Sequence, residues 1–197
     1  MENLASNNKR IAKNTLLLYA RMLFLMVVSL YTSRVVLNAL GVEDFGIYNV
    51  VGGMVAMFSM LSGSLSASIT RFITYELGRG DRKKLRTIFS SAVTIQLGLA
   101  AIIIILAEAL GIWFLNSKMT IPLDRLAAAN WVFQFSVLTF AINLVSVPYN
   151  ASIIAHERMS AFAYISIFEA VGKLAIAYLI TISPIDRLVF YAILMCA

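Results

Sequence analysis

The stretch RFITYELGRGDRKKLR, residues 71–86, decides how the chain is read. It packs Arg71, Arg79, Arg82, Lys83, Lys84 and Arg86 between two long apolar runs. A short basic segment between two hydrophobic spans stays on the cytoplasmic side, because Lys and Arg near span ends resist translocation. Once that loop is placed, the direction of every other span follows. The loop carries its own turn, Gly78-Arg79-Gly80-Asp81, where glycine reaches backbone angles that other residues resist. Arg79-Gly80-Asp81 spells a cell-adhesion tripeptide, but in a cytosolic turn it reads as turn chemistry.

Composition points the same way. Of 197 residues, 60% are hydrophobic and 13% charged, against roughly 45–50% and about 25% in soluble proteins. Mean hydropathy is +0.85. Several apolar runs exceed the ~20 residues that cross a ~30 Å hydrocarbon layer as helix. The expected fold class is therefore all-α, a polytopic transmembrane helical bundle. The net charge of +6 reads as topology, with attraction to anionic membrane lipids as a secondary effect and no nucleic-acid partner. With one cysteine, Cys196, and one histidine, His156, neither an intrachain disulfide nor a Cys/His metal cluster can be built. No phosphate-binding loop, dinucleotide fingerprint, HExxH or nucleophile elbow is present, so neither an enzyme nor a cofactor is expected. Asn150-Ala151-Ser152 matches a glycosylation acceptor in letters only, since it lies inside an expected span.

The basic segment up to Asn14 resembles the start of a signal peptide. The apolar run continues to Ala39, however, and contains Arg21 and Arg34, which predicts an uncleaved first span. The expected helices cover about 14–39, 46–77, 87–115, 126–155 and 160–182, with 188–197 as the incomplete start of a sixth. All belong to a single domain, 1–197. The second, at ~1.5 Å per residue, is near 48 Å and must tilt, kink or project into the cytosol. Acidic, glycine-bounded residues 41–46 form an outer turn, as do 116–125 and 183–187. Trp113, Phe114 and Trp131 suit the outer interface. Ten of the 16 basic residues fall in cytosolic segments, four in outer segments and two, Arg21 and Lys173, within spans. That bias favours a cytoplasmic N-terminus.

Charged groups inside spans cost about 2.5–3.5 kcal/mol each at mid-depth and so need a reason. Arg21 and Arg34, 13 residues apart, point about 220° away from each other and cannot form one patch. Arg34 reads as an anchor to the outer head groups. Arg21 is deeper, and faces either an internal polar cavity or the inner interface. Glu169 and Lys173 stand four apart in the favourable order for a pair on one helix face, either as neutralised packing or as a substrate contact. The fourth helix carries Asn130, Gln134, Asn143 and Asn150 around Pro148, which frees a carbonyl near Leu144. The substrate-binding candidates are thus Arg21, Lys173, Glu169, Asn143 and Asn150. Ser59, Gly63 and Ala67 recur at four-residue spacing, a pattern expected to make a close-packed helix face.

Two segments carry a family resemblance. Ser33–Asp81, SRVVLNALGVEDFGIYNVVGGMVAMFSMLSGSLSASITRFITYELGRGD, and Val147–Leu174, VPYNASIIAHERMSAFAYISIFEAVGKL, resemble bacterial polysaccharide (O-antigen type) flippases. These belong to the multidrug/oligosaccharidyl-lipid/polysaccharide exporter superfamily. The resemblance implies two lobes of about six or seven helices around a cavity that opens alternately to either side. It also implies movement of polyprenyl-diphosphate-linked oligosaccharide across the inner membrane, for polysaccharide or lipopolysaccharide biosynthesis. This chain matches most of the first lobe, so a C-terminal lobe or another membrane subunit is an expected partner. A drug or cation exporter of the same fold, and a non-transporting membrane subunit or truncated remnant, are the alternatives.

Overall fold

A single backbone break at Gly41 shapes the first quarter of the chain. The computed structural model describes residues 2–119, 121, 122, 124–183 and 186–196, except the side chains of 2–11, 13, 14 and 60–62. Helix α1, Glu2–Ala56, runs as two arms, 2–40 and 42–56, that meet at Gly41 with φ 84 and ψ 170. A residue with a Cβ is disfavoured there. The expected outer turn at 41–46 is therefore shorter than its composition suggests. Glu43 and Asp44 fall in the first turn of the second arm, where carboxylates complement the helix N-terminus. At its other end α1 begins at Glu2 instead of 14.

The expected second helix, 46–77, is likewise not one rod. It pauses at Met57 and Phe58, where the Phe58 N–H donates to the Val55 carbonyl. Helix α2 then covers Ser59–Arg79. Ser68, Thr70 and Thr74 donate to carbonyls four residues back. Such bonds hide hydroxyl polarity and often bend a helix. The Ser59, Gly63 and Ala67 face does not pack within the chain. All three are exposed, and nothing stands within 4 Å of where a Cβ on Gly63 would be. The helix instead buries Ile73 and Glu76, because the larger Ile73 side chain has more apolar area to withdraw from solvent.

Gly80 closes α2 with φ 71, its N–H donating to the Leu77 carbonyl. Asp81 then opens α3, Arg82–Leu106, its Oδ1 accepting from the N–H groups of Lys83 and Lys84 at 3.1 Å. This cap starts the helix five residues before the expected 87. A π turn, Ala107–Gly111, joins α3 to α4, Ile112–Ser117, without a loop. Thr120 and Leu123 of the expected outer connection lie outside the described residues.

Helix α5, Leu126–Ala155, is the centre of the bundle. It contains Pro148 and buries ten residues, including Val132, Phe133 and Leu144. Around it the main core gathers Val51 and Val55 of α1, Ile103 of α3, Leu115 of α4 and Leu188 of α7. Helix α6, Met159–Ile182, lies against α1 instead. A second core joins their Val36, Ala39, Ala177 and Ile180 to Tyr191 of α7, Arg187–Cys196. Pro184 and Ile185 of the expected outer turn, and Ala197 of the expected last helix, lie outside the described residues.

Among the described residues, four helical stretches are long and apolar enough to cross a membrane: Thr15–Ala56, Arg82–Ser117, Leu126–Ala155 and Met159–Ile182. Even in Leu126–Ala155, the most enclosed, only 39% of the most apolar window is buried. Apolar helix surface left bare on this scale belongs in lipid. The all-helical polytopic fold follows.

Candidate functional site: a basic cavity between α1 and α6

The two arms of α1 splay at Gly41, and α6 and α7 close the space between them. A cavity of ≈ 430 Å³ results. Its α1 wall is a single helix face with Arg21, Leu25, Val28, Thr32 and Val36 at three- and four-residue steps. The second arm contributes Tyr48 and Asn49; α6 contributes Ser166, Glu169 and Lys173; α7 contributes Tyr191.

Three charged residues from two expected spans thus meet in one place. The Lys173 Nζ donates to Glu169 Oε1 at 2.6 Å, with both side chains about half exposed. The Arg21 guanidinium carbon lies 4.3 Å from the Phe162 ring centroid. An aromatic face stabilises a cation without neutralising it. Arg21 Nε is buried without a hydrogen-bond partner, as is Thr32 Oγ1 deeper along the same face. Two donors therefore stand unused beside the ion pair. Farther along, the rings of Tyr48 and Tyr191 pack at a tilt of 54° with a centroid distance of 4.7 Å, and the Tyr31 and Tyr178 hydroxyls lie 2.7 Å apart, tying α1 to α6.

Asn143 lines an adjoining cavity of ≈ 250 Å³, which shares Tyr48 and Met195 with the first. Asn150 is exposed on α5 and lines neither cavity. Two full turns beyond Asn143, it points about 20° away but sits some 10 Å along the axis. Arg34 is exposed and also stands apart from the cavity. Asn130 and Gln134, the two remaining amides expected on this helix, are paired. Asn130 exchanges hydrogen bonds with Asn116 at 3.2 Å, and Gln134 donates to Glu108 at 3.0 Å.

The MatE family matches residues 19–179, from just before Arg21 to beyond Lys173 and well over half of the chain. The chain belongs to the MatE family. It thus falls within the multidrug/oligosaccharidyl-lipid/polysaccharide exporter superfamily, whose members are membrane transporters. A Bacillus subtilis (strain 168) protein described as an uncharacterized membrane protein, EpsK, is 23% identical over 124 residues, covering 63% of this chain. This chain spans 24% of that relative's length. No solved structure matches.

Sequence reasoning missed several members of this MatE cavity. Thr32, Tyr48 and Tyr191 on its wall, and Phe162 beside Arg21, are common residue types in apolar helices, and only the packing of α1 on α6 and α7 brings them together. One signal was available: Arg21, Val28 and Thr32 are spaced to share a face. A cluster near Gly41 was also missed, in which Arg125 of the loop before α5 lies 3.2 Å from Asp44 and 2.7 Å from Asp186. Arg187 Nη1 donates to the Ala39 carbonyl at 3.1 Å, satisfying a group stranded by the break at Gly41.

Proposed function

We propose that this chain supplies the basic half of a substrate cavity in a flippase for polyprenyl-diphosphate-linked oligosaccharide. The substrate moves from the cytosolic to the outer leaflet of the inner membrane, for polysaccharide synthesis of the O-antigen type. The carrying observation is Arg21, a guanidinium facing a cavity in which the single acid, Glu169, already holds Lys173. A diphosphate accepts two parallel hydrogen bonds from guanidinium, and an aromatic backing leaves that charge available. A cation exporter of the same fold would instead need a free carboxylate at this position. In this reading the N-terminus and residues 78–86 face the cytosol, and a second lobe or membrane subunit completes the cavity.

The test is glycan display in cells that depend on this protein, at matched membrane abundance. Arg21→Ala is expected to abolish most display, and Arg21→Lys to retain part of it. Normal display with Arg21→Ala, accompanied by lost resistance to cationic drugs, would hand the cavity to the exporter reading. Unchanged display and resistance would leave Arg21 as an anchor at the membrane interface, with no part in transport.

A further inference from the structure

A second cavity, of ≈ 670 Å³, lies between the end of α2, the start of α3 and the end of α5. Glu76 lines it at 7% exposure, and its Oε2 is buried without a partner. Buried charges are normally paired, so a lone buried carboxylate oxygen marks a place where a donor belongs. The same cavity is lined by Arg82 and Arg86, both exposed, one helical turn apart on α3. Asp81, the other acid on the wall, is committed to capping α3. His156 Nδ1 lies 2.8 Å from the Ser152 carbonyl. A carbonyl only accepts, so that nitrogen carries the proton in this contact. Ile73, Leu77, Leu85 and Phe89 supply an apolar flank.

An occupant must offer an anion to the two arginines and a hydrogen-bond-donating cation to Glu76, while resting apolar surface on the flank. We infer that this cavity binds the head group of an aminophospholipid, its phosphate on Arg82 and Arg86 and its primary ammonium on Glu76. Basic pockets between helices at the membrane surface bind lipid head groups in this manner. A choline head group presents the same phosphate, but its quaternary nitrogen has no N–H to donate. The site is separate from the Arg21 cavity and does not rest on the flippase reading.

The purified full chain, equilibrated with phosphatidylethanolamine and phosphatidylcholine of identical acyl chains, is released from detergent and weighed intact. Phosphatidylethanolamine is expected to be retained about tenfold over phosphatidylcholine, the ratio that one charge-assisted hydrogen bond supports. Glu76→Gln, which keeps shape, should remove that preference, and Arg86→Gln should lower retention of both lipids. Helical content by circular dichroism checks that each variant folds. Equal retention of the two lipids by the unaltered chain would overturn the inference. So would a preference that survives Glu76→Gln. Free phosphoethanolamine is expected not to displace the lipid, and its displacing it at millimolar concentration would reject a membrane lipid as the occupant.

Discussion

The guanidinium of Arg21 and the ring of Phe162 join α1 to α6 across 4.3 Å, a basic group of one span seated on the aromatic face of another. The contact positions the cation without consuming its charge. Cation–π pairs contribute about 0.5–1 kcal/mol when exposed and about 2 when desolvated. Phe162→Leu keeps apolar bulk and removes the π face. A double-mutant cycle of Phe162→Leu with Arg21→Gln, measured by denaturant unfolding in micelles, should give a coupling of about 1 kcal/mol. Strict additivity would mean that the ring is merely a neighbour.

Orientation is testable with single cysteines in a Cys196→Ser background. Gly80 is a poor place for one, because its φ of 71 strains any residue with a Cβ. Lys83 and Ser117 are exposed and lie at opposite ends of the rod formed by α3, the π turn and α4. Cysteine at Ser117 should react with an impermeant thiol reagent added to whole cells, and cysteine at Lys83 only after the membrane is opened. Labelling of Lys83→Cys from outside would invert the proposed topology.

Arg125 links three elements at the other end: the second arm of α1, the start of α5 and the start of α7. Its partners are unequal, with the Asp44 side chain 8% exposed and that of Asp186 37% exposed. Removing the cation strands a buried carboxylate, whereas removing Asp186 loses a half-exposed pair and a bond to the Leu188 N–H. Arg125→Ala should therefore cost about 3 kcal/mol, and Asp186→Ala about 1. Equal losses in thermal or denaturant unfolding would show that Asp44 does not depend on Arg125.

In the π turn, Gly111 meets the ring of Phe133, which is 2% exposed. A Cβ at 111 would run into that ring. Gly111→Ala is expected to destabilise by about 1–3 kcal/mol through overpacking, and Phe133→Leu in the same chain to recover part of the loss. If the double variant is no more stable than Gly111→Ala alone, the clash lies elsewhere.

The all-helical membrane fold was legible because apolar length is a one-dimensional property. The ends of α5 and α6 followed from where apolar runs stop. The breaks did not follow the same rule. Gly41 interrupts α1 at one residue, while Met57 and Phe58 interrupt an apolar run that has no glycine or proline at the break. The charges in spans drew attention to Arg21, Glu169 and Lys173, because burying charge in lipid is costly whatever the fold. Their meeting in one cavity depends on α6 packing against α1 across more than a hundred residues of chain, and no local pattern encodes that. Glu76 was hidden for the opposite reason: beside six basic residues it reads as loop polarity, and only its burial distinguishes it.

The Glu169 and Lys173 pair separates packing from function. Its 2.6 Å bond lies between side chains that are 61% and 47% exposed. Exposed pairs of this kind contribute about 0–1 kcal/mol, so Lys173 can leave Glu169 at small cost. Under the proposed function, Lys173 holds Glu169 when the cavity is empty and a substrate phosphate when it is loaded. A ligand shifts a conformational equilibrium only by its differential affinity for the two states, and this exchange of partners provides one. The double exchange Glu169→Lys with Lys173→Glu keeps a neutral pair four residues apart on the same face. It should insert and fold normally, yet lose glycan display, because the cation is displaced by four residues, about 6 Å along the axis. Glu169→Gln alone should still bind substrate and change turnover, since it frees Lys173 permanently. Display at the normal rate in the charge-exchanged protein would leave the pair as packing and remove Lys173 from the transport cycle.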